Sequence, residues 1–253
     1  MSKIGPIAQS DTSIVTDGLV FNMDFSKFSC YPRTGTTITD LKGSLTGTLI
    51  NGATFDSNNL GYIDLDGVDD SIDCGNDSSL NFNLSTALTG EIWVNFSAAN
   101  TVYKQMMSRM QTSAPFAGWE FAIGANTGYR QSFGFFMRNN EANPTNGKVK
   151  QRRTTSDVSV SSNVWLCLGF TYDGSGNFDN VTMYKNGEAV ASEISNNDTM
   201  SSTVSSTASL TLRTRQGNNP EAMDIAVAKL YEKELTAVEM LQNYNAQKEK
   251  FGL

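Results

Sequence analysis

Leu65-Asp66-Gly67-Val68-Asp69-Asp70-Ser71-Ile72 is an acidic turn set between two segments whose apolar side chains recur at every second residue. Such alternation marks a strand with one buried face, and Asp and Gly tolerate the tight backbone geometry of a reversal. The same pairing of short alternating segments with turn residues continues on both sides. Gly47, Asn51-Gly52, Asn58-Asn59 and Gly75-Asn76-Asp77 punctuate the surrounding sequence, an interval that favours antiparallel strands over helices. The chain therefore reads as all-β, an antiparallel two-sheet β-sandwich.

Alternation begins at Leu19, Phe21, Met23 and Phe25, after a stretch of Gly, Pro, Ser, Thr and Asp without periodicity. We read residues 1–17 as an extended N-terminal arm and residues 18–253 as one sandwich. The arm is either a plain flexible terminus or an anchor in an assembly, with Ile4, Pro6 and Ile7 as its apolar docking residues. Residues 90–97 place Ile92, Val94 and Phe96 on one face and Glu91, Trp93 and Asn95 on the other. Trp119, Phe121 and Ile123, then Phe133, Phe135 and Met137, predict two central strands joined by a loop over Gly124 to Arg130. Residues 163–172 are apolar on both alternations, as a doubly covered strand requires. Asn186-Gly187 supplies the positive φ angles of a tight hairpin between 181–184 and 188–191, and residues 192–209 read as a loop or an edge strand. One helix is predicted, at about 236–250. Thr236 and Glu239 have capping-box spacing, Leu241 and Tyr244 are expected to face the sandwich, and Gly252 suits the stop.

Composition narrows the function classes. A hydrophobic fraction of 39% with 14 Phe supports a packed core, and 5 Pro with 18% charged residues argues against extended disorder. No apolar run approaches the roughly 18 residues of a spanning helix, and Met1-Ser2-Lys3-Ile4-Gly5-Pro6 lacks the apolar core of a secretory signal. Synthesis in a cytosol without a signal peptide, and no membrane insertion, are the expectations. Cys30, Cys74 and Cys167 have the spacing of neither a disulfide framework nor a zinc site and read as buried free thiols. A net charge of −7 argues against nucleic acid as a partner, since such binding rests on neutralising phosphates with cations. Lys148, Lys150, Arg152 and Arg153 form the local exception. Alternation would project Lys148, Lys150 and Arg152 from one face, as a charged edge strand that blocks unwanted pairing or as a docking surface for an acidic partner.

Five phrases carry a resemblance: GLVFNMDFS, YPRTGTTITDLKG, GTLINGATFD, DLDGVDDSIDCG and NVTMYKNG. In word and in order they resemble the LamG-like jelly roll of the concanavalin A-like superfamily. The closing stretch AVAKLYEKELTAVEMLQNYNAQKEKFGL resembles the final strand and helix of such domains in tailed-phage virion proteins. The resemblance implies a jelly roll, and glycan or calcium binding through loops at its rim. The glucanase relatives carry a strand-borne Glu-x-Asp-x-x-Glu triplet that no window of this sequence contains.

The chain has no His, which removes Ser-His-Asp and Cys-His nucleophile systems and imidazole metal sites. Catalysis would have to come from carboxylates, two of which a glycosidase needs. Glu91, Glu120 and Glu141 occur singly and read as solvent-facing. The densest acidic cluster is Asp64, Asp66, Asp69, Asp70 and Asp73. It reads as a structural turn, with calcium at Asp66, Asp69 and Asp70 as the alternative. Trp119, Tyr129, Arg130 and Asn139 group an aromatic platform with hydrogen-bond donors, the equipment of a glycan site, although Trp119 shares its alternation with core residues. The function that the resemblance to virion domains implies is that of a non-enzymatic phage virion structural protein. It would be a capsid decoration or head-surface module, attached partly by its arm to other virion proteins in multiple copies or as a homo-oligomer, with adhesion to host-surface polysaccharide. A tail or fibre lectin for host-receptor recognition is the alternative, and a carboxylate glycosidase the third reading.

Overall fold

A computed structural model of the chain describes residues 13–43, 45–97, 104–111, 116–124, 132–139, 148–155, 161–200, 206–213 and 222–253. In chain order the strands begin β1 (Leu19–Asp24), β2 (Thr37–Thr39), β3 (Thr46–Ile50), β4 (Thr54–Asp56), β5 (Tyr62–Leu65) and β6 (Ser71–Asp73). They continue as β7 (Leu88–Phe96), β8 (Lys104–Ser108), β9 (Gly118–Ile123), β10 (Phe133–Arg138), β11 (Val149–Thr154) and β12 (Trp165–Tyr172). The last are β13 (Thr182–Lys185), β14 (Glu188–Val190), β15 (Ser192–Asn197), β16 (Thr211–Arg213) and β17 (Met223–Tyr231), followed by the helix α1 (Ala237–Gln247).

The strands form two antiparallel sheets. One has eight strands in the order β14-β13-β12-β7-β17-β5-β4, with β1 also on β17; the other has nine, ordered β15-β11-β10-β9-β8-β16-β6-β3-β2. β1 and β5 share one side of β17: β5 pairs with Met223 to Ile225 and β1 with Val227 to Tyr231. A register irregularity in the β17–β7 pairing, between Ile225 and Val227, falls where the two meet.

The inner faces enclose one large core. Ile92, Val94 and Phe96 meet Phe121, Phe135, Leu168, Phe170, Ile225 and Leu230 there, as the alternation predicts. Phe135 stacks on Phe170 with centroids 4.0 Å apart, tying the two sheets face to face. The stretch that decides the fold is a corner between sheets. Leu65 pairs with Met223 in the eight-stranded sheet, whereas Ser71 pairs with Ile50 in the nine-stranded one. Residues 66–70 therefore carry the chain from one layer to the other. Asn186 and Gly187 turn the β13–β14 hairpin at φ 53° and 79°, the twist-compatible geometry such a turn requires.

The helix covers the outer face of the eight-stranded sheet. Its capping box forms as predicted, with Thr236 Oγ1 accepting from the Glu239 amide and the Glu239 carboxylate accepting from the Thr236 amide. The face it buries is Met240, Asn243 and Gln247, while Leu241 is 41% exposed. The expectation for Leu241 is thus corrected; Tyr244 does pack, stacking on Trp93 at 5.6 Å. Trp93 also stacks on Phe251 at 4.2 Å, and its indole N–H donates to Gln247. The second face of β7, which carries Glu91 and Trp93, belongs to this helix.

Two further expectations are corrected by tertiary pairing. Glu91 and Glu120, read as solvent-facing, are both fully buried. Glu91 pairs with Lys229 beneath the helix at 2.5 Å, and Glu120 accepts from Gln105 and Ser108 at 2.6 and 3.3 Å; Glu141 lies outside the described residues. β11 is not an edge strand, because β15 pairs along it. The three cysteines are buried and free, as expected. Burial pushes the Cys30 thiol up to about 12, which leaves it protonated and unreactive.

Residues 13–17, the end of the stretch read as an arm, lie against the helix. The Val15 amide donates to Asn243 and its carbonyl accepts from the Tyr231 hydroxyl. Ile4, Pro6 and Ile7 lie outside the described residues.

Candidate functional site

Two of the four glycan residues proposed from sequence are interior. Trp119 is fully buried, its ring against Phe82 and its indole N–H donating to the Leu80 carbonyl. Asn139 is also fully buried. Neither presents a face to a sugar: Trp119 takes the core place its alternation predicts, and the glycan reading of Asn139 is corrected. The reason is the sheet: β9 has partners on both sides and its Trp119 side faces the core. Tyr129 and Arg130 lie outside the described residues.

The basic strand leads elsewhere. Arg152 is held by Ser192 Oγ at 2.8 Å, by the carbonyls of Phe178, Asp179 and Ser192, and by the Asp179 carboxylate at 3.6 Å. Arg153 pairs with Glu193 at 3.2 Å. Lys148 precedes β11, its carbonyl accepting from the Asn139 amide. Of the three residues proposed to dock an acidic partner, Lys150 reaches a cavity.

That cavity is a groove of about 480 Å³ lined by Leu84, Ser85, Lys150, Gly174, Ser175, Gly176, Asn177, Asn197, Thr199 and Met200. β11 and β15 form one wall and the loop after β12 forms the other. Tyr172, the last residue of β12, organises the loop wall from below. Its buried hydroxyl donates to the Leu84 carbonyl at 2.5 Å and accepts the Gly176 amide at 2.6 Å. Burial pushes the Tyr172 phenol up to about 12, so it stays a neutral donor.

Gly174 is required in this loop by φ +78° and by crowding, since a Cβ there would lie 2.7 Å from the Ala87 amide nitrogen. Asp173 and Asn177 close successive turns onto the amides of Ser175 and Asp179. The resulting wall is closed by its own hydrogen bonds and offers hydroxyls, amides and glycine backbone. Leu84 and Met200 add two apolar patches.

The corner carboxylates form a separate cluster. Asp66, Asp69 and Asp70 each place a carboxylate oxygen within 4.8 Å of the others. Asp64 and Asp73, grouped with them in sequence, belong to different sheets. The Asp66 amide donates to Asp70 Oδ2 at 3.0 Å, and the Val68 amide to Asp66 Oδ1 at 2.8 Å. Asp70 is 5% exposed, and its Oδ1 has no hydrogen-bond partner among the described residues. Burial raises the Asp70 pKa, and Asp66, Asp69 and Asp64 add repulsion against the help of the Asp66 amide. Structurally the cluster is a hydrogen-bonded turn, and chemically it is a set of hard oxygen donors.

A family model for the concanavalin A-like lectin/glucanases superfamily matches residues 66–240. The chain belongs to this superfamily. The jelly-roll resemblance and the two stacked antiparallel sheets agree with that membership. No curated protein matches the sequence.

Among solved structures, the binding domain of Paraclostridial Mosquitocidal Protein 1 is 17% identical with a TM-score of 0.67, over 90% of this chain and 52% of that one. The Botulinum Neurotoxin Type G receptor binding domain is 15% identical with a TM-score of 0.64, over 91% and 52%. Trypanosoma rangeli sialidase is 12% identical with a TM-score of 0.62, over 94% and 34%. This member of the superfamily thus spans about half the length of the toxin domains and a third of the sialidase. The shared feature is the sandwich.

Proposed function

We propose that this protein is a non-enzymatic carbohydrate-binding module and that the groove beside Lys150 is its saccharide site. The observation that carries this reading is the groove's composition: hydroxyls, amides, exposed backbone, two apolar patches and one lysine, with no carboxylate among the described lining residues. A pyranose ring matches such a lining, since its hydroxyls need donors and acceptors while its C–H faces need apolar contact. Most glycosidases hydrolyse the bond with two carboxyl groups flanking it. The strand glutamates Glu91 and Glu120 are buried in contacts of their own. Likeness to domains described as binding domains supports the same reading.

The setting we propose is the surface of a phage virion, as a capsid decoration or head-surface module present in multiple copies, with tail-borne receptor recognition as the alternative. It rests on the resemblance of residues 226–253 to virion domains. The chain enters the sandwich beside the helix, through Ser13 to Asp17, so a segment ahead of residue 13 would reach a neighbour from that side. No helix among the described residues is long and apolar enough to cross a membrane. At the corner we propose calcium, on the strength of a buried Asp70 whose Oδ1 has no hydrogen-bond partner among the described residues and whose carboxylate lies within 4.8 Å of those of Asp66 and Asp69.

Three measurements test these readings. A glycan array should show retention on at least one polysaccharide class with no release of reducing sugar; cleavage, or silence across all classes, would refute the module. Labelled antibody on intact particles should decorate the head, and absence of the chain from particles would refute the virion setting. Thermal unfolding should shift upward with calcium in a concentration-dependent way, and no shift with calcium would refute that assignment.

A further inference from the structure

We propose that the groove selects an acidic saccharide, with Lys150 and Asn197 receiving a carboxylate or sulfate of the sugar. This rests on the reading of the groove as a saccharide site and adds its substrate class. Lys150 is the charged residue of the described lining. Its neighbours on β11 show what it lacks. Arg152 has Asp179 at 3.6 Å and Arg153 has Glu193 at 3.2 Å, whereas the Lys150 ammonium meets a neutral acceptor, Asn197 Oδ1, at 2.7 Å. Among the described residues no carboxylate compensates its charge, at the place where a ligand would sit.

The local hydrogen-bond chemistry goes further. An ammonium carries three donors and no acceptor. Lys150 spends one on Asn197, and because it can only donate, the Asn197 amide must turn its oxygen toward Nζ. The amide Nδ2–H groups then sit beside the ammonium as a second donor set. An ammonium and an amide side by side complement the two oxygens of one anionic group, and hydrogen bonds to an ion are about twice as strong as neutral ones. The Thr199 hydroxyl and the Asn177 side-chain N–H groups, whose oxygen is held by the Asp179 amide, remain for ring hydroxyls. A chain of net charge −7 repels polyanions at long range, so retaining one requires such a local contact.

The test is isothermal titration of the full chain with three probes: polygalacturonate oligomers, their carboxyl-reduced neutral counterparts, and dextran sulfate oligomers. Wild type should bind at least one anionic probe about tenfold more tightly than the neutral one, and which anionic probe wins identifies the source of the charge. Lys150→Gln should lose that preference with an unchanged unfolding midpoint, and Lys150→Arg should keep most of it. Equal binding of neutral and anionic probes, unaffected by Lys150→Gln, would overturn the acidic class and leave the groove as a saccharide site. Failure of all three probes would overturn the acidic class as well, and the array described above would then decide whether the groove reading stands by itself.

Discussion

Asp224 and Asp64 stand directly opposite each other across β17 and β5, with the Asn95 amide donating to Asp224 Oδ2 at 3.3 Å. Burial pushes the Asp224 carboxyl from 3.8 up to about 6, with Asp64 and Asp56 adding repulsion that the Asn95 bond partly offsets. A carboxyl whose folded pKa exceeds its unfolded one favours folding while it holds its proton. That contribution is complete below about pH 4 and is lost as pH rises through about 6. Asp224→Asn is therefore expected to raise stability at pH 7.5 by up to about 1 kcal/mol, the scale of a like-charge cross-strand pair, and to leave stability at pH 4 nearly unchanged. Urea unfolding at both pH values checks this, and equal effects at the two would contradict it. Lys229 poses the opposite case: it and Glu91 are fully buried partners. Lys229→Met strands a carboxylate in a dry site and is expected to cost about 3–5 kcal/mol, whereas Glu91→Gln with Lys229→Met should recover most of the loss. A double variant no more stable than the single one would show that the ion pair itself is not the issue. Neither pair could be read from sequence, because cross-strand register brings together residues from distant parts of the chain.

At the scale of elements, local chemistry was readable and lateral position was not. The Asn186-Gly187 hairpin and the Thr236–Glu239 capping box form as their residues predict, since each is closed by atoms a few residues apart. β11 was read as an edge strand because its charges suit one. It sits one place in because β15, drawn from a stretch with little apolar periodicity, pairs along it. That pairing turns a stripe of cations into a groove wall. Tyr172 joins the opposite wall to the core through the Leu84 carbonyl and the Gly176 amide. Tyr172→Phe removes both bonds from a buried site and is expected to cost about 1–3 kcal/mol. If the groove is the saccharide site, the same variant should also weaken binding several-fold by loosening residues 173–177. Calorimetry and titration on one preparation separate the effects, and a destabilised variant with intact affinity would detach the loop from recognition.

For the whole molecule, the helix closes the outer face of the eight-stranded sheet. Trp93, Trp165, Cys167 and Val227 form an apolar cluster there with Phe251, and Lys250 reaches Asp24 at 2.7 Å across the domain. Ending the chain after Leu235 would expose that cluster, a contiguous apolar patch of the kind folded monomers avoid. The truncated chain is expected to bind a hydrophobic dye and to aggregate on gel filtration; a monomeric, dye-silent product would show that the sheet face needs no cover. Period-two alternation, turn residues at regular intervals and the lack of His determined from sequence alone that this is a β-sandwich without histidine chemistry, because those properties depend on residue type and near neighbours. The tertiary structure alone decided that Asn139 is interior, that Glu91 and Glu120 are buried, and that Lys150 stands in a groove. Each of those outcomes depends on which strands lie side by side, and hydrogen bonding between strands far apart in the chain settles it.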